Sequence, residues 1–347
     1  MIGRIVLWDL FRILQIFSIV HFHLLEAFIS SDIEYPPYLQ SYLYLAVASC
    51  VRVFSTGGLN LVALSLFIIG YKRINLKKLK FLSVVLFLGI LILNLGYSFG
   101  FAQNLYFEWD IYHYLLVTIA FIYVLDRYSR KYSGAVLLCS FFLCLFPWWT
   151  LSFPFNHKIA HQALIGDCSS VTTGTWAILP WLFWASFFWS FGAIIKDRYL
   201  DCVKNLNIFK VGVLGLFSIL LYGLASSSYF FHVPVGNTFS CYVHRPEFIS
   251  FFAHFISLIL LLGVSVNRSL NELLKRYFSW TAFFYWNQKL GVTYLFHILF
   301  LTLSLYIFDL KIFTGLQFIF FVVFQFMSAD LASRLFFKFY QKGLKVA

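Results

Sequence analysis

Long apolar segments separated by short polar connections recur along the chain from residue 5 to residue 333. Most of them are close to the roughly 20 residues that an α-helix needs to cross the hydrocarbon core of a bilayer. Because recurrent apolar segments of this length are typical of multi-pass proteins, the pattern predicts an all-α polytopic membrane protein with ten transmembrane helices. The predicted spans are 5–30, 42–70, 81–102, 111–126, 134–152, 176–195, 211–231, 247–266, 290–308 and 313–333.

The positions of Lys and Arg between these spans predict the topology, because basic residues concentrate in the cytoplasmic connections of membrane proteins. With the N-terminus inside, only Lys158, Arg245 and Lys311 fall in external connections, and Arg12 and Arg52 fall within spans. The other 21 of the 26 Lys and Arg residues are then cytoplasmic. We therefore expect both termini inside and a single transmembrane domain over the whole chain, in the bacterial inner (plasma) membrane.

The composition agrees with this fold class. Of the 347 residues, 61% are hydrophobic and only 12% are charged, and the mean hydropathy is +0.82. A net charge of +12 is also a feature of nucleic-acid-binding proteins. Here, however, the basic residues lie in short connections between spans, as topology requires. We expect membrane lipid as the surroundings of the chain and no nucleic-acid partner.

The first predicted span contains ionisable residues, which are costly in a membrane and usually face a protein interior where they pair. Arg12 and His23 are eleven residues apart, which places them about three helical turns and roughly 16 Å apart on nearly the same face. His21 points away from that face, because two residues turn a helix by about 200°. An imidazole such as that of His23 can accept a proton from a hydroxyl nucleophile. The alternative is a structural histidine that hydrogen-bonds a neighbour.

Arg12 and Arg52 each need an anionic partner, because a guanidinium is permanently charged. Asp9, three residues before Arg12, could be that partner in a purely structural pair. In a functional pair, the arginines would instead hold a phosphate group that arrives from the cytosol. The basic segment KRINLKKLK at residues 72–80 would extend such a site, although topology alone also places cations there.

Three further residues are candidates for substrate binding. Asn60 follows Gly57 and Gly58, and this sequence predicts a broken or closely packed helix that lines a cavity, where irregular backbone is tolerated within a membrane. His113 begins the fourth span and could bind an external acceptor or cap the helix. His297 lies alone in an apolar run, for which a packed histidine is the simpler interpretation.

Cys168 and Cys241 lie in the two longest predicted external loops. Because that side of a membrane is oxidising, we predict a disulfide between them, with two free thiols as the alternative. The chain contains no CxxC pair and no His/Cys cluster with metal-site spacing, so we expect no metal.

Four stretches occur in order along most of the chain. DLFRILQIFSIVHFH contains Asp9 and the spacing Arg12-x10-His23, and WDIYHYLLVTIAFIYVL contains His113. WAILPWLFWASFFWSFGAIIKD contains an LPW sequence followed by a glycine, and YWNQKLGVTYLFHILF contains His297. Together they resemble the signature helices of the membrane acyltransferase-3 superfamily, and most of all its branch related to heparan-α-glucosaminide N-acetyltransferase.

The chain departs from the pattern of this family at several positions. Ile13 replaces the usual small residue of the first helix, and Leu66 replaces a glycine near the end of the second span. Val292 and Thr293 stand where Ser-Leu is usual in the late helix. The arginine pair of acyltransferase-3 proteins has no equivalent here other than KRINLKK. The identities of donor and acceptor are therefore open.

The resemblance implies acyl transfer across a membrane. A cytosolic acyl-CoA, most often acetyl-CoA, would donate its acyl group to a hydroxyl or amine of an extracytoplasmic glycan or glycolipid. His23 would be the base or acyl relay, assisted by Arg12 and Asp9, and no metal is required because a thioester is already activated. The other implied contacts are to the substrate, through Arg52, Asn60, His113 and His297, and to the donor cofactor, through Arg73, Lys77 and Lys78.

Two other functions stay open. A transporter or flippase for a glycolipid or lipid-linked glycan would use the helix face that carries Arg12 and His23 as a path for substrate or protons. Such proteins usually contain paired half-repeats, which we do not find in the sequence. A structural membrane subunit would have no need for ionisable residues within its spans. The sequence does not decide whether the chain forms a homodimer.

Overall fold

Helices make up all the regular secondary structure in the part of the chain that the structure describes. The computed structural model describes residues 9–13, 16, 20, 57–73, 76–100, 111–146, 164, 177–196, 255–256, 258–259, 261–262, 272–273, 276–277, 292–301, 303–304, 307 and 315–346. Over these residues there is no β-strand. The all-α prediction is therefore confirmed for them.

Seven helices have defined bounds, and residues 9–13 are also helical. A short 3₁₀ turn, Arg130–Tyr132, joins the third helix to the fourth. The helices are α1 (Gly57–Lys72), α2 (Leu76–Gly100), α3 (Ile111–Tyr128), α4 (Ser133–Leu145), α5 (Ile178–Ile195), α6 (Val292–Leu301) and α7 (Gly315–Val346).

The observed bounds agree closely with the prediction for α3 and α5 and differ elsewhere. The predicted interruption near Gly57 and Asn60 does not occur from Gly57 onward, because α1 is continuous to Lys72. At the other end of the chain, α7 continues to Val346, well past the predicted limit at residue 333. The span predicted at 211–231 lies outside the described residues.

Two of the described helices are long and apolar enough to cross a membrane: Ile178–Ile195, and Phe320–Lys338 within α7. Shorter apolar helices are Val62–Lys72, Leu79–Ile92 and Val292–Leu301. Ten spans and their orientation stay predictions.

The chain divides into two compact units built from interleaved segments. Unit 1 comprises Met1–Gly58, Leu91–Tyr106 and Arg268–Ala347. Unit 2 comprises Leu59–Ile90 and Phe107–Asn267.

In unit 2, α5 forms the centre of the packing against α3 and α4. Pro180 is tolerated because it lies in the first turn of α5, where the backbone N–H groups have no helical partner. The rings of Trp181, Trp184 and Phe188 form a buried column, with centroids 5.4 Å and 4.6 Å apart along it. Aromatic side chains of this size supply most of the apolar area that such a core buries.

A pair of glycines brings α1 and α5 into backbone contact. A Cβ atom at Gly70 would overlap the carbonyl oxygen of Trp189, and one at Gly192 would overlap that of Phe67. The two contacts are reciprocal, since each glycine faces the residue three positions before the other one. Small residues allow this close approach where helices pack within a membrane. The glycine of the LPW…G stretch therefore has a packing role.

Candidate functional site

Asp9 and Arg12 lie together on the first described helical residues, 9–13. Residues three apart are neighbours on a helix surface. Asp9 is only 7% exposed, and the Nε atom of Arg12 is buried. A buried carboxylate requires compensation by a charge or by hydrogen bonds, so the helix presents a charged face to the interior of unit 1. His23 and Arg52 lie outside the described residues.

Helix α6 and its continuation, also in unit 1, have one polar face. Thr293, His297 and Ser304 are buried, and His297 is completely inaccessible to solvent. Their spacing of four and seven residues places them along the same side of a helix. His297 also lies beside the ring of Tyr294, with centroids 6.3 Å apart. His297 is thus surrounded by apolar residues in the sequence but shares a buried polar helix face with Thr293 and Ser304 in the structure.

Helix α7 carries polar residues on its buried face. Its buried residues all fall on one side at 100° per residue. They are Phe321, Val322, Gln325, Phe326, Ala329, Asp330 and Ser333. The outer side is apolar and exposed, and consists of Phe320, Val323, Phe324, Met327, Leu331 and Leu335. This arrangement reverses that of a surface helix in a soluble protein, whose exposed side is polar.

Hydrogen bonds and a ring contact join α6 to α7 as an antiparallel pair. The Nε2 atom of Gln325 donates hydrogen bonds to Ser304 Oγ at 2.5 Å and to the Phe300 carbonyl oxygen at 3.3 Å. The rings of Phe296 and Phe336 lie 6.2 Å apart, centroid to centroid. These two contacts bracket His297 on one helix, and Asp330 and Ser333 on the other. We call the resulting strip the polar seam; its residues are Thr293, His297, Ser304, Gln325, Asp330 and Ser333.

An ion pair adjoins the polar seam. Arg334 Nε donates to Asp330 Oδ2 at 2.7 Å, one helical turn away. The Asp330 side chain is 10% exposed and that of Arg334 is 37% exposed. The carboxylate therefore lies inside while the guanidinium reaches toward solvent, as expected for a long cationic side chain near the end of an apolar helix.

In unit 2, His113 is buried in the first turn of α3. Its neighbour Tyr114 donates a hydrogen bond from its hydroxyl to the Trp181 carbonyl oxygen at 2.8 Å. The ring of Tyr112 occupies the space beside Gly89 of α2. His113 is therefore a buried residue between two tyrosines that pack α3 against α2 and α5. Its role in binding an acceptor or capping the helix stays a prediction.

A charged cluster lies at the other end of α3. Asp126 Oδ1 accepts hydrogen bonds from Arg130 and from Trp189 Nε1, the latter at 3.2 Å. Arg130 also donates to the carbonyl oxygen of Gly70, near the end of α1. Asp126 and Arg130 are largely buried. The cluster therefore links α1, α3 and α5 through Gly70 near the end of α1, Asp126 near the end of α3 and Trp189 within α5.

The predicted donor-binding cations lie at the connection between α1 and α2. Arg73 and Lys77 are exposed, and Lys78 lies within α2. Arg73 adopts a φ of 66° and its N–H closes the end of α1 by bonding the Ile69 carbonyl oxygen at 2.8 Å. A residue in this left-handed conformation often ends a helix, although glycine is the usual choice.

The candidate residues are distributed over both units. Asp9, Arg12 and His297 belong to unit 1, whereas Asn60, His113, Arg73, Lys77 and Lys78 belong to unit 2. The predicted disulfide between Cys168 and Cys241 lies outside the described residues. Within the described ranges, no group of three His, Cys, Asp or Glu side chains is placed to hold a metal ion, and the absence of a metal stays a prediction.

Sequence reasoning missed most of the polar seam. Gln325 and Asp330 stood within a predicted span and could have been noticed as polar residues in an apolar run. Ser304 and Ser333 gave no such signal, because serine is common in membrane helices and often bonds its own backbone. Ser186 and Ser190 of α5 do so, donating to Leu182 and Ser186 carbonyl oxygens.

Known proteins offer no further guide to this site. The chain matches no protein-family model, no curated protein and no solved structure. The resemblance to the acyltransferase-3 superfamily therefore stays a prediction from the sequence.

Proposed function

We propose that this chain is a multi-pass membrane protein with ten spanning helices and both termini in the cytosol. The exposed apolar side of α7 supports a lipid environment, since Phe324 and Met327 are 61% and 64% exposed. Leu138 and Phe142 of α4 and Phe87 of α2 are exposed in the same way. Apolar patches of this extent are rare on monomeric soluble proteins, and lipid is the surrounding that they fit.

Within that membrane, the chain is an acyltransferase. It moves an acyl group, acetyl in the first instance, from cytosolic acyl-CoA to a hydroxyl or amine of an extracytoplasmic glycan or glycolipid. The observation that carries this proposal is the charged face that the buried Asp9 and the half-buried Arg12 form on residues 9–13. Buried ionisable residues in apolar helices usually mark a substrate site or a proton path, and these two begin the stretch that resembles the acyltransferase signature.

In this reaction the acceptor hydroxyl or amine attacks the thioester carbonyl carbon. His23 takes the proton of the nucleophile, the C–S bond breaks, and the thiolate of CoA leaves and is protonated. Arg12 attracts the phosphates of the donor or the developing oxyanion, because guanidinium groups bind phosphate and carboxylate oxygens strongly. Asp9 pairs with Arg12. The pair fixes the orientation of the guanidinium and offsets part of its charge.

The test measures acetyl-CoA binding and thioester turnover by the purified protein in detergent. Arg12→Ala should weaken acetyl-CoA binding by about 10- to 100-fold, the usual effect of losing a charged hydrogen bond. His23→Ala should lower turnover by about 10² to 10⁴, the usual contribution of a general base. Arg276→Ala, which removes an exposed arginine, and His21→Ala, on the opposite helix face, are the matched controls and should behave like wild type.

Failure of the folded wild-type protein to bind any acyl-CoA would overturn the proposal. Transport of a fluorescent lipid-linked glycan by reconstituted vesicles would then be the next measurement, because the same charged face could serve a transporter.

A further inference from the structure

Three oxygen atoms of the polar seam are buried without a hydrogen-bond partner among the described residues. They are Gln325 Oε1, Asp330 Oδ1 and Ser333 Oγ. The three side chains are at least nine-tenths buried: Gln325 is 1% exposed and Ser333 is fully inaccessible. The other polar atoms of the same residues are engaged, since Gln325 Nε2 bonds Ser304 and Asp330 Oδ2 bonds Arg334.

Such oxygens are unusual in a folded protein. An unsatisfied buried acceptor is costly and native structures contain few of them. Here three occur on one face of α7, within two turns and about 12 Å of helix axis. Asp330 and Ser333 lie between the two contacts that join α6 and α7, and Gln325 forms one of those contacts. Three buried acceptors without a partner, spaced along one helix, point to a ligand that supplies hydrogen-bond donors at intervals along its length.

We propose that the polar seam binds the pantetheine arm of the acyl-CoA donor through Gln325, Asp330 and Ser333. This inference rests on the proposed acyltransferase function and deepens it, because it names the surface along which the donor enters. No residue of the seam other than His297 was a candidate from sequence.

The chemistry of the arm fits the seam. Pantetheine is a thin, extended chain with amide N–H groups and a hydroxyl group, and each of these can donate to one of the three oxygens. In the proposed topology α7 runs from the external side to the cytosol, so Ser333 and Asp330 lie nearer the cytosol than Gln325. An arm that enters from the cytosol therefore passes them in that order, carrying the thioester toward the middle of the membrane.

Arg334 lies at the cytosolic end of this path. Its partly exposed guanidinium is suited to the phosphates from which the arm extends. The nucleotide portion of CoA stays in the cytosol.

The experiment compares the binding of two probes to the purified full chain by calorimetry. The first probe is CoA, and the second is adenosine 3′,5′-bisphosphate, which has the nucleotide but no pantetheine arm. Ser333→Ala is the principal variant, because Ser333 Oγ has no hydrogen-bond partner within the described part of the chain and its removal breaks no hydrogen bond there. Ser333→Ala should weaken CoA binding by about three- to tenfold, the usual value of one hydrogen bond, and should leave the affinity for the bisphosphate unchanged.

Two further variants make the result decisive. Asp330→Asn keeps the shape of the side chain but removes its charge, and it should weaken CoA binding more than Ser333→Ala does. Ser328→Ala removes a half-buried serine from another side of the same helix and should have no effect on either probe.

Each outcome is distinguishable. Wild-type protein that binds CoA with the same affinity as Ser333→Ala and Asp330→Asn would overturn this inference and leave the proposed function standing. Equal weakening of both probes would also overturn it, since the arm would then not be what the seam recognises. Wild-type protein that binds no CoA would overturn the proposed function and this inference together.

Discussion

Asp126 and Arg130 together connect three helices of unit 2. Asp126 accepts hydrogen bonds from Arg130 and from Trp189, while Arg130 reaches the last turn of α1 at Gly70. Each partner comes from a different part of unit 2. A buried charge whose partner is removed costs far more than the net value of the pair, so the cluster is sensitive to loss of either charged residue.

We expect Asp126→Ala to lower the free energy of unfolding by about 3 kcal/mol or more, because it leaves the buried guanidinium of Arg130 without its carboxylate. Thermal unfolding in detergent, followed by tryptophan fluorescence, is the measurement. Asp126→Ala combined with Arg130→Leu should recover part of the loss. Glu272→Ala, which removes an exposed carboxylate, is the control. A melting temperature for Asp126→Ala equal to that of wild type would contradict the expectation.

At the scale of elements, the contact between α1 and α5 is set by two glycines. The backbone of each helix occupies the space where a side chain of the other would begin. Backbone atoms cannot move aside as the end of a flexible side chain can, so any larger residue must separate the helices. The same region includes the Arg130 hydrogen bond to Gly70, which a separation would also break.

Gly70→Ala and Gly192→Ala should each destabilise unit 2 by about 1–3 kcal/mol, the usual cost of overpacking. Gly134→Ala is a matched control, since a Cβ there meets no atom within 4 Å. In that exposed part of α4, alanine should instead stabilise by about 0.5–1 kcal/mol. Melting temperatures of the three variants in one detergent would check the sign of each change. A loss of stability for Gly134→Ala as large as for the other two would contradict the contact explanation, because a Cβ atom at Gly134 meets no neighbouring atom.

The sequence predicts the ends of some helices better than those of others, as α5 and α7 show. The predicted span 176–195 agrees with helix α5 to within two residues, since Pro180 lies in its first turn and Lys196 follows its last residue. The last predicted span ends at residue 333, just before Arg334, whereas helix α7 continues to Val346. Beyond residue 333, charged residues such as Arg334 and Lys338 alternate with apolar residues, and the chain stays helical. Hydropathy marks where a helix leaves apolar surroundings, which need not be where the helix ends.

The candidate site was predicted in part for a similar reason. Single ionisable residues in apolar runs, such as Asp9, His113 and His297, are visible in sequence, and the structure describes all three as buried. Which helices pair is a tertiary property, so the partnership of α6 with α7 was not visible. Ser304 and Ser333 become candidates only once α6 and α7 are known to pair, because each serine then faces the other helix. The reciprocal contact of Gly70 and Gly192 was hidden in the same way.

At the scale of the whole molecule, the described surface is apolar where that of a soluble protein would be polar. Exposed large apolar side chains occur on α2, α4 and α7, and on α3 at Val124. Buried polar residues occur in both units. In a membrane this distribution is favourable, because lipid accepts apolar side chains and the protein interior satisfies the polar ones.

We expect Phe324→Lys to impair membrane insertion by about 2.5–3.5 kcal/mol, the cost of lysine near the centre of a spanning helix. The measurement is the yield of folded protein in the membrane fraction, with Tyr277→Lys as the control. Tyr277 is also an exposed aromatic residue, but it belongs to a predicted cytoplasmic connection and should accept lysine. Improved recovery of Phe324→Lys as a soluble protein would argue against a lipid-facing surface.

The length of α7 offers a practical opportunity. Its 32 residues span about 48 Å, whereas the hydrocarbon core is about 30 Å thick. In the proposed topology the excess forms a rigid cytosolic extension of the last span. A helical fusion partner joined in phase after Val346 would inherit the orientation of that helix. A chain of 40.5 kDa surrounded by detergent could in this way receive a fixed external marker for single-particle imaging.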